Sequence, residues 1–375
     1  MNSNNKPKLP VEIILLIIEN LIPGSRPILP AWHVITQTLL NLTLVSKSIY
    51  PIASRLLWQN CLRIESKESL RSFLEFISQK NITGRMPCEA YGPTRLFLAP
   101  FRTPHRRGSM SDSVNGEAPG EAIELPRYSP VSPVCPELQD HDTAVAVKRV
   151  LVRLAPVLKG IIVDMPLRSL YPEDDSTGIR KYLREGFEAL VNVEELVSIN
   201  DELYLATKEE YSEPEVWTLW PKLQRLALYN VLVRPKLWKN MFQCPQLEMA
   251  VLSGPDAGYD WMSQENIKGD WCRAWVETIS QVAKSRDEIP YQGREIMIAL
   301  CDWNSRLPNF DAFTDDWGKL DPNNLIWIMT VPVDPPYDPA LPGHANQYGE
   351  VLQDWVRKRA LRGSLWEDVY TQRST

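Results

Sequence analysis

The chain has 375 residues, of which 44% are hydrophobic, a composition typical of a globular protein with room for two or three domains. Its 41 lysines and arginines against 47 aspartates and glutamates give a formal charge of −6, so we expect no broad basic surface for nucleic acid. The six cysteines contain no Cys-x-x-Cys pair, which excludes the usual zinc spacing, and they are too sparse for a disulfide-dense scaffold.

Residues 9–21, LPVEIILLIIENL, are almost wholly apolar. A membrane span needs about 20 apolar residues, and this stretch is shorter. An export signal needs a small-residue cleavage site, and none follows the stretch. We therefore interpret it neither as a membrane segment nor as an export signal. Pro10 favours the first turn of a helix, and Glu12 and Glu19 share one face of it. A helix that is apolar on its other sides needs more neighbours than a small domain supplies, which indicates a partner chain.

Residues 38–60, TLLNLTLVSKSIYPIASRLLWQN, predict two further short helices. Leu39 and Leu42 recur at near-helical spacing. Pro51 ends that helix and opens the next, which extends to Trp58, because proline lacks a backbone N–H and fits only a first turn. The N-terminal block is therefore predicted to be three short helices.

This block resembles an F-box, on three motifs in that family's order: the opening Leu9-Pro10-x-Glu12-Ile13, the central Leu42-x-x-Val45-Ser46-Lys47 and the closing Leu57-Trp58. The resemblance implies that the block binds the Skp-type adaptor of the cullin–RING ubiquitin ligases. The contact residues that it implies are Leu9, Pro10, Ile13, Ile17, Leu42, Val45 and Trp58.

The loop between the first two predicted helices departs from the family pattern, since IPGSRPILPAWHVITQT is longer than the usual short turn. A longer surface loop costs little closure entropy, so the fold tolerates it. Trp32 and His33 in this loop either cover the partner-facing surface or extend it. The alternative for the whole block is a helical cap on the following domain, with its apolar residues satisfied internally.

Residues 61–99 predict strand-helix units. Leu62 and Ile64 alternate like a short strand, and Ser66 is placed to cap a helix with apolar residues at i, i+3, i+4 and i+7. Residues 100–142 are rich in Pro, Ser, Gly and Glu and predict a disordered insertion. Its Ser-Pro and Thr-Pro pairs are either phosphorylation sites or parts of an unmodified loop.

From residue 143 onward, helical and strand-like patterns alternate. A helix is predicted to end near Lys159-Gly160, and a strand follows it. The pattern Leu223-x-x-Leu226-x-Leu228 returns as Leu247-x-x-Ala250-x-Leu252, 24 residues later. This spacing resembles an irregular leucine-rich-repeat solenoid, in which each unit adds one strand to a parallel sheet and one helix or loop to the convex side.

The repeat pattern departs from its consensus, because Asn230 follows Leu228 by two residues, off the expected asparagine position. The alternative is a compact α/β domain with a non-repetitive strand order. The C-terminal region predicts helices that cap the last repeat. Its basic segment 357–362, RKRALR, is interpreted as the solvated side of a helix rather than as a nuclear signal.

We thus predict an α/β fold with a three-helix F-box followed by a leucine-rich-repeat-like solenoid with a parallel sheet and a C-terminal helical cap. The predicted domains are an F-box at 8–60, first repeat-like units at 61–99, a disordered insertion at 100–142 and a repeat-like substrate-binding domain at 143–375.

No catalytic set is evident, because the four histidines fall in loop-like settings and the chain has neither a phosphate-binding Gly-rich loop nor a Gly-x-Ser-x-Gly elbow. We therefore expect no enzyme, cofactor or metal site. The F-box resemblance implies a substrate-receptor subunit, with the adaptor, a cullin reached through it and a protein substrate as partners, and without nucleic acid or membrane. Such a protein is expected in the cytoplasm or nucleus. The alternatives are an interaction scaffold without ubiquitin transfer and an enzyme on an α/β domain.

Overall fold

The computed structural model describes residues 10–101, 138, 140–208, 213–255, 266–279, 290–303, 314–334 and 348–367. The helices in these segments are α1 (Val11–Glu19), α2 (Val34–Leu42), α3 (Tyr50–Asn60), α4 (Lys67–Ile77), α5 (Pro87–Tyr91), α6 (His141–Leu154), α7 (Ile179–Glu188), α8 (Pro235–Phe242), α9 (Ile267–Ile279), α10 (Thr314–Leu320) and α11 (Tyr348–Arg362). The strands are β1 (Arg63–Ile64), β2 (Thr94–Leu98), β3 (Leu158–Val163), β4 (Glu195–Ser198), β5 (Arg225–Tyr229), β6 (Met249–Ser253), β7 (Ile296–Asp302) and β8 (Ile326–Pro332).

The eight strands form one parallel sheet in the order β1 to β8, so each strand pairs with the next strand along the chain. A parallel sheet built in sequential order is the arrangement of a strand-helix solenoid. Leu226 pairs with Ala250 and Leu228 with Leu252, which is the register that the 24-residue spacing predicts. The predicted α/β, solenoid-like architecture with a parallel sheet is therefore confirmed.

One face of the sheet packs against the helices that connect the strands. The strands contribute large aliphatic side chains to this face, among them Leu96, Ile161, Leu226 and Ile298. These side chains share one continuous core with residues of α4 and of α6 to α9. Because successive side chains of a strand point to opposite faces, the intervening residues belong to the other face.

The other face, here called the inner face, is also apolar and buried. Its side chains come from β2 to β8 or from residues just beyond their ends: Phe97, Ala99, Ile162, Val197, Ile199, Ala227, Met249, Val251, Met297, Ala299, Cys301, Val331 and Val333. Helix α11 covers this face with Leu352, Val356 and Ala360. The prediction of a C-terminal cap is therefore wrong, because α11 lies across the sheet instead of closing the end of the solenoid.

The basic segment 357–362 is also not simply the solvated side of a helix. Arg357 points inward and forms an ion pair of 2.9 Å with the buried Asp164, which follows β3. Lys358 and Arg362 are exposed, as predicted. The inward arginine is compatible with burial only because a carboxylate compensates its charge.

The helix predicted to end near Lys159-Gly160 ends earlier, at Leu154. Pro156 follows, and it has no backbone N–H to donate to the carbonyl oxygen of Val152, so the helical hydrogen bonding stops there. The chain is already in strand β3 at Leu158. Helix α6 begins at His141, capped by Asp140, while most of the predicted insertion 100–142 lies outside the described residues.

Candidate protein-docking surface

The N-terminal helices α1, α2 and α3 share a small core of their own. Ile18, Leu39, Ile49, Ala53 and Leu56 are buried together in it, apart from the core of the repeats. A core of this size leaves most of a nine-residue helix uncovered, so α1 buries Ile18 fully while its remaining apolar residues are half-buried or exposed. The three predicted helices are therefore present and pack on one another.

Helix α1 presents apolar side chains to solvent. Ile13, Leu16 and Ile17 lie at i, i+3 and i+4 and are exposed, as is Val11. Glu19 at the end of the same helix is held by Arg55 of α3 at 2.7 Å, which fixes α1 against α3 without covering its apolar face. Several exposed aliphatic residues on one helical face form an apolar patch, and such patches are typical of interaction sites.

A second exposed set lies along α2 and the turn after it, where Leu40, Leu44 and Val45 face solvent and Leu44 is 85% exposed. Trp32 and Val34, just before and at the start of α2, are exposed too. Within the described segments, nine of the fifteen exposed large hydrophobic side chains therefore fall between residues 11 and 45. We call these nine the N-terminal apolar surface: Val11, Ile13, Leu16, Ile17, Trp32, Val34, Leu40, Leu44 and Val45.

Most residues that the F-box resemblance assigns to contact with the adaptor lie on the three-helix block. Pro10, Ile13, Ile17 and Val45 are exposed on the three-helix block. Leu42 is only half-buried and packs against the small core. Leu9 lies outside the described residues.

Trp58 does not lie on this surface. It is 2% exposed, its ring packs against Phe73 and Tyr91, and its Nε1 donates a hydrogen bond of 2.9 Å to the carbonyl oxygen of Gly92. Because the side chain belongs to the core of the repeat domain, a direct contact between Trp58 and a partner is excluded in this structure. Its role is to join α3 to the repeats.

The long loop after α1 connects the block to the repeat domain. Ile28 and Leu29 are buried, and their backbone N–H groups donate to the carbonyl oxygens of Leu361 at 2.8 Å and Asn60 at 2.6 Å. His33 caps α2 by accepting a hydrogen bond from the backbone N–H of Ile35 at 3.2 Å. Trp32 stays exposed and adds to the apolar surface, so the first half of the loop packs inward and the second half extends the surface.

Sequence reasoning missed Val11, Leu16, Val34, Leu40 and Leu44 as candidate contact residues. For α1 the available signal was that its polar stripe is narrow, so most of its apolar residues had to meet something other than the small core. For α2 no such signal exists. Its sequence does not show which of its apolar residues pack against α3 and which face solvent.

The chemistry elsewhere in the described residues gives no comparable site. No helix there is both long and apolar enough to cross a membrane, and no group of His, Cys, Asp and Glu side chains there is arranged to hold a metal ion. Burial raises the pKa of the Cys244 and Cys272 thiols to about 12, so they are un-ionised and unreactive at neutral pH. A surface depression at the starts of β5 to β7 is lined by Gln224, Pro245, Gln246, Leu247, Glu248, Arg294, Glu295 and Met297.

Comparison with models of known protein families, with curated proteins and with solved structures finds no match. The function is therefore inferred from the surface of the molecule and from the motifs of its N-terminal block.

Proposed function

We propose that this chain is a substrate-receptor subunit of a Skp–cullin–F-box ubiquitin ligase. The N-terminal apolar surface on α1 and α2 docks on the Skp-type adaptor, which connects the chain to a cullin. The repeat domain recruits a protein substrate. Such a complex works in the cytoplasm or nucleus.

The observation that carries the proposal is the concentration of exposed apolar side chains on a block whose helices already share a core. If the block were only a cap on the repeats, its apolar residues would be satisfied internally, yet nine large ones face solvent. Interfaces of this kind are apolar at their centre, with few charges there. The order of the F-box-like motifs supports the Skp-type adaptor as the occupant.

In this function the chain contributes proximity instead of chemistry. A receptor holds its substrate close to a ubiquitin-loaded partner, and confinement of two reactants raises their effective concentration. The fold suits this task because α3 enters both cores: Leu56 lies in the small core and Trp58 in the core of the repeats. The docking surface and the repeat domain are thereby held in one fixed orientation.

The test is co-expression with the Skp-type adaptor, followed by size-exclusion chromatography and addition of the cullin. We expect the native chain to elute as an equimolar complex with the adaptor. Ile17→Asp combined with Val45→Asp should abolish this complex, because a charge is then buried in an apolar interface. The matched control is Val191→Asp combined with Leu219→Asp, which alters two exposed apolar residues of the repeat domain.

Three outcomes contradict the proposal. A native chain that elutes alone in the presence of the adaptor removes the docking function. Equal loss of binding in the Val191/Leu219 control shows that the effect is not specific to the N-terminal apolar surface. A complex with the adaptor that fails to recruit the cullin leaves an interaction scaffold, which also overturns the ligase proposal.

A further inference from the structure

The inner face of the sheet is shaped to receive a helix. Ala99, Ala227, Ala299 and Cys301 are buried on it, and such small residues allow a helix to approach the sheet closely. On the opposite face the strands carry mostly leucine and isoleucine. An inner face that is apolar along most of its strands cannot remain bare in water, since the area would be far larger than an ordinary surface patch.

Helix α11 occupies this face in the manner of a bound amphipathic helix. Leu352, Val356 and Ala360, at i, i+4 and i+8, are its buried residues. Its first part lies near Gly254, beyond β6, and its last turn lies beside Ile28, in the loop whose Arg26 carbonyl oxygen accepts a hydrogen bond of 2.7 Å from Arg95 of β2. A helix of this length rises about 22 Å and four strand spacings measure about 19 Å, so α11 bridges the sheet from β6 to β2.

One ion pair fixes the register of this helix. Arg357 Nε donates to Asp164 Oδ2 at 2.9 Å, and Asn200 Nδ2 donates to the other carboxylate oxygen at 2.7 Å. Both charged side chains are nearly buried. Burial lowers the pKa of Arg357, but Asp164 and Asp354 outweigh that effect and raise it, so the guanidinium stays charged.

A buried ion pair adds little net stability over well-packed apolar residues, but removing one partner is costly. The carboxylate of Asp164 favours a helix with a cation at this position, so the pair sets the register of α11 on the inner face.

The core between the sheet and the connecting helices does not depend on α11. Every α11 residue in a described hydrophobic cluster belongs to the inner-face cluster, while the larger cluster is built from α3 to α9 and the strands. The helix also adds no strand to the sheet. Its relation to the rest of the chain is that of a ligand attached in cis.

We propose that the inner face is a helix-binding surface, that α11 is its occupant in cis, and that a protein partner binds there by exchanging its own helix for α11. The partner helix carries apolar side chains at i, i+4 and i+8 and an arginine at i+5, the pattern of Leu352, Val356, Ala360 and Arg357. As a route for substrate recruitment, this exchange rests on the function proposed above.

The test measures exchange without the adaptor, so that its failure and the failure of adaptor docking are distinguishable. A fluorescein-labelled peptide of residues 348–367 is titrated with the full chain, and binding is followed by anisotropy. The variants are Arg357→Glu, Asp164→Arg and the charge-swapped double variant. Lys358→Glu, at an exposed neighbouring position, is the matched control.

We expect Arg357→Glu to weaken the packing of α11 on the inner face, so that the variant binds the peptide about tenfold or more tighter than the native chain. Lys358→Glu should behave like the native chain. In the double variant the ion pair is restored with reversed charges, so α11 should again pack on the inner face. The increase in affinity for the peptide should therefore be lost. Hydrogen exchange of the α11 amides should follow the same order.

Three results overturn the proposal. The first is α11 amides that exchange quickly in Arg357→Glu although the peptide does not bind. The second is α11 amides that stay as protected as those of β3 in every variant. The third is loss of the folded state in both Arg357→Glu and the milder Arg357→Gln, since α11 is then an integral part of the fold.

Discussion

The indole Nε1 of Trp58 donates a hydrogen bond of 2.9 Å to the carbonyl oxygen of Gly92. This bond ties the last turn of α3 to the loop that precedes β2. The hydroxyl of Thr94 donates in turn to the carbonyl oxygen of Trp58, so two hydrogen bonds join Trp58 to this part of the chain. Trp58, which the F-box resemblance assigns to contact with a partner chain, is thus part of the protein's own core.

Trp58→Ala is therefore expected to lower the free energy of unfolding by about 3–5 kcal/mol, the range for removing a buried aromatic side chain. The loss combines the cavity with an unpaired carbonyl oxygen at Gly92. Equilibrium unfolding in urea measures it. Trp32→Ala is the matched control, because Trp32 is 67% exposed and its removal should change stability by less than about 0.5 kcal/mol. Equal stability losses for the two variants would contradict the burial of Trp58.

The strand-helix repeat was predictable because its signals are local. Ser66 was correctly expected to cap α4, and it accepts the backbone N–H of Ser69 at 3.1 Å. The spacing from Leu226 to Ala250 was visible in the sequence and sets the pairing of β5 with β6. Patterns of this kind are predictable because the residues that determine each element lie close together in the sequence.

The position of α11 was not predictable in the same way. Asp164 and Arg357 are 193 residues apart, and nothing local in the sequence relates them. One signal was present: IMIALCD in β7 is apolar at every position but the last, which is typical of a strand buried on both faces. That pattern shows that the inner face is covered, but it does not identify the segment that covers it.

The candidate site was predictable only in part. The F-box-like motifs name Ile13, Ile17 and Val45, which are exposed. The same motifs name Trp58, which is buried, and no local pattern shows which end of α3 enters the repeat core. The loop after α1 could not be interpreted from sequence, since its partner is the carbonyl oxygen of Leu361, near the other end of the chain.

Gly363→Ala is expected to destabilise the protein strongly. Gly363 ends α11 with φ +77°, and a Cβ there would lie 1.8 Å from the carbonyl oxygen of Ser25. The variant therefore suffers both the cost of a left-handed conformation, about 1–2 kcal/mol, and a backbone clash. The clash cannot be relieved by moving a flexible side chain, so the contact between α11 and the loop after α1 must open.

Gly84→Ala provides the control for this prediction. Gly84 has φ +79°, but nothing lies within 4 Å of a Cβ built there. It should lose only the conformational cost, about 1–2 kcal/mol. Thermal unfolding of both variants, with hydrogen exchange at Ile28, separates strain from clash. Similar losses in the two variants would refute the close approach of Gly363 to Ser25.

Asp140 should make the stability of the protein depend on pH. Burial alone would raise its pKa, but hydrogen bonds from Lys67 and Thr143 outweigh this and lower the pKa to about 2. Because this value lies below the unfolded value of about 3.9, the carboxylate stabilises the fold above about pH 4 and loses this effect as the pH falls towards 2.

Asp140→Ala should accordingly cost about 1 kcal/mol at pH 7, the usual loss for an N-cap, and progressively less below pH 4. Asp140→Asn retains a capping oxygen without a titratable group, so the stability difference between the Asn and Ala variants should not change over this range. Urea unfolding at pH 7, 5, 4 and 3 tests both statements. A difference between the native and Ala chains that grows as the pH falls would show that the assigned sign is wrong.

The last prediction concerns the exposed residues that the motifs did not identify. Leu44→Ala should leave the free energy of unfolding within about 0.5 kcal/mol of the native value, because the side chain is 85% exposed. If the N-terminal apolar surface docks on the adaptor, the same variant should weaken the complex by about 1–2 kcal/mol in calorimetric titration. Ile82→Ala is the matched control, since Ile82 is 76% exposed outside this surface. Full affinity in Leu44→Ala would exclude the turn after α2 from the interface, whereas a loss in Ile82→Ala would place the interface elsewhere.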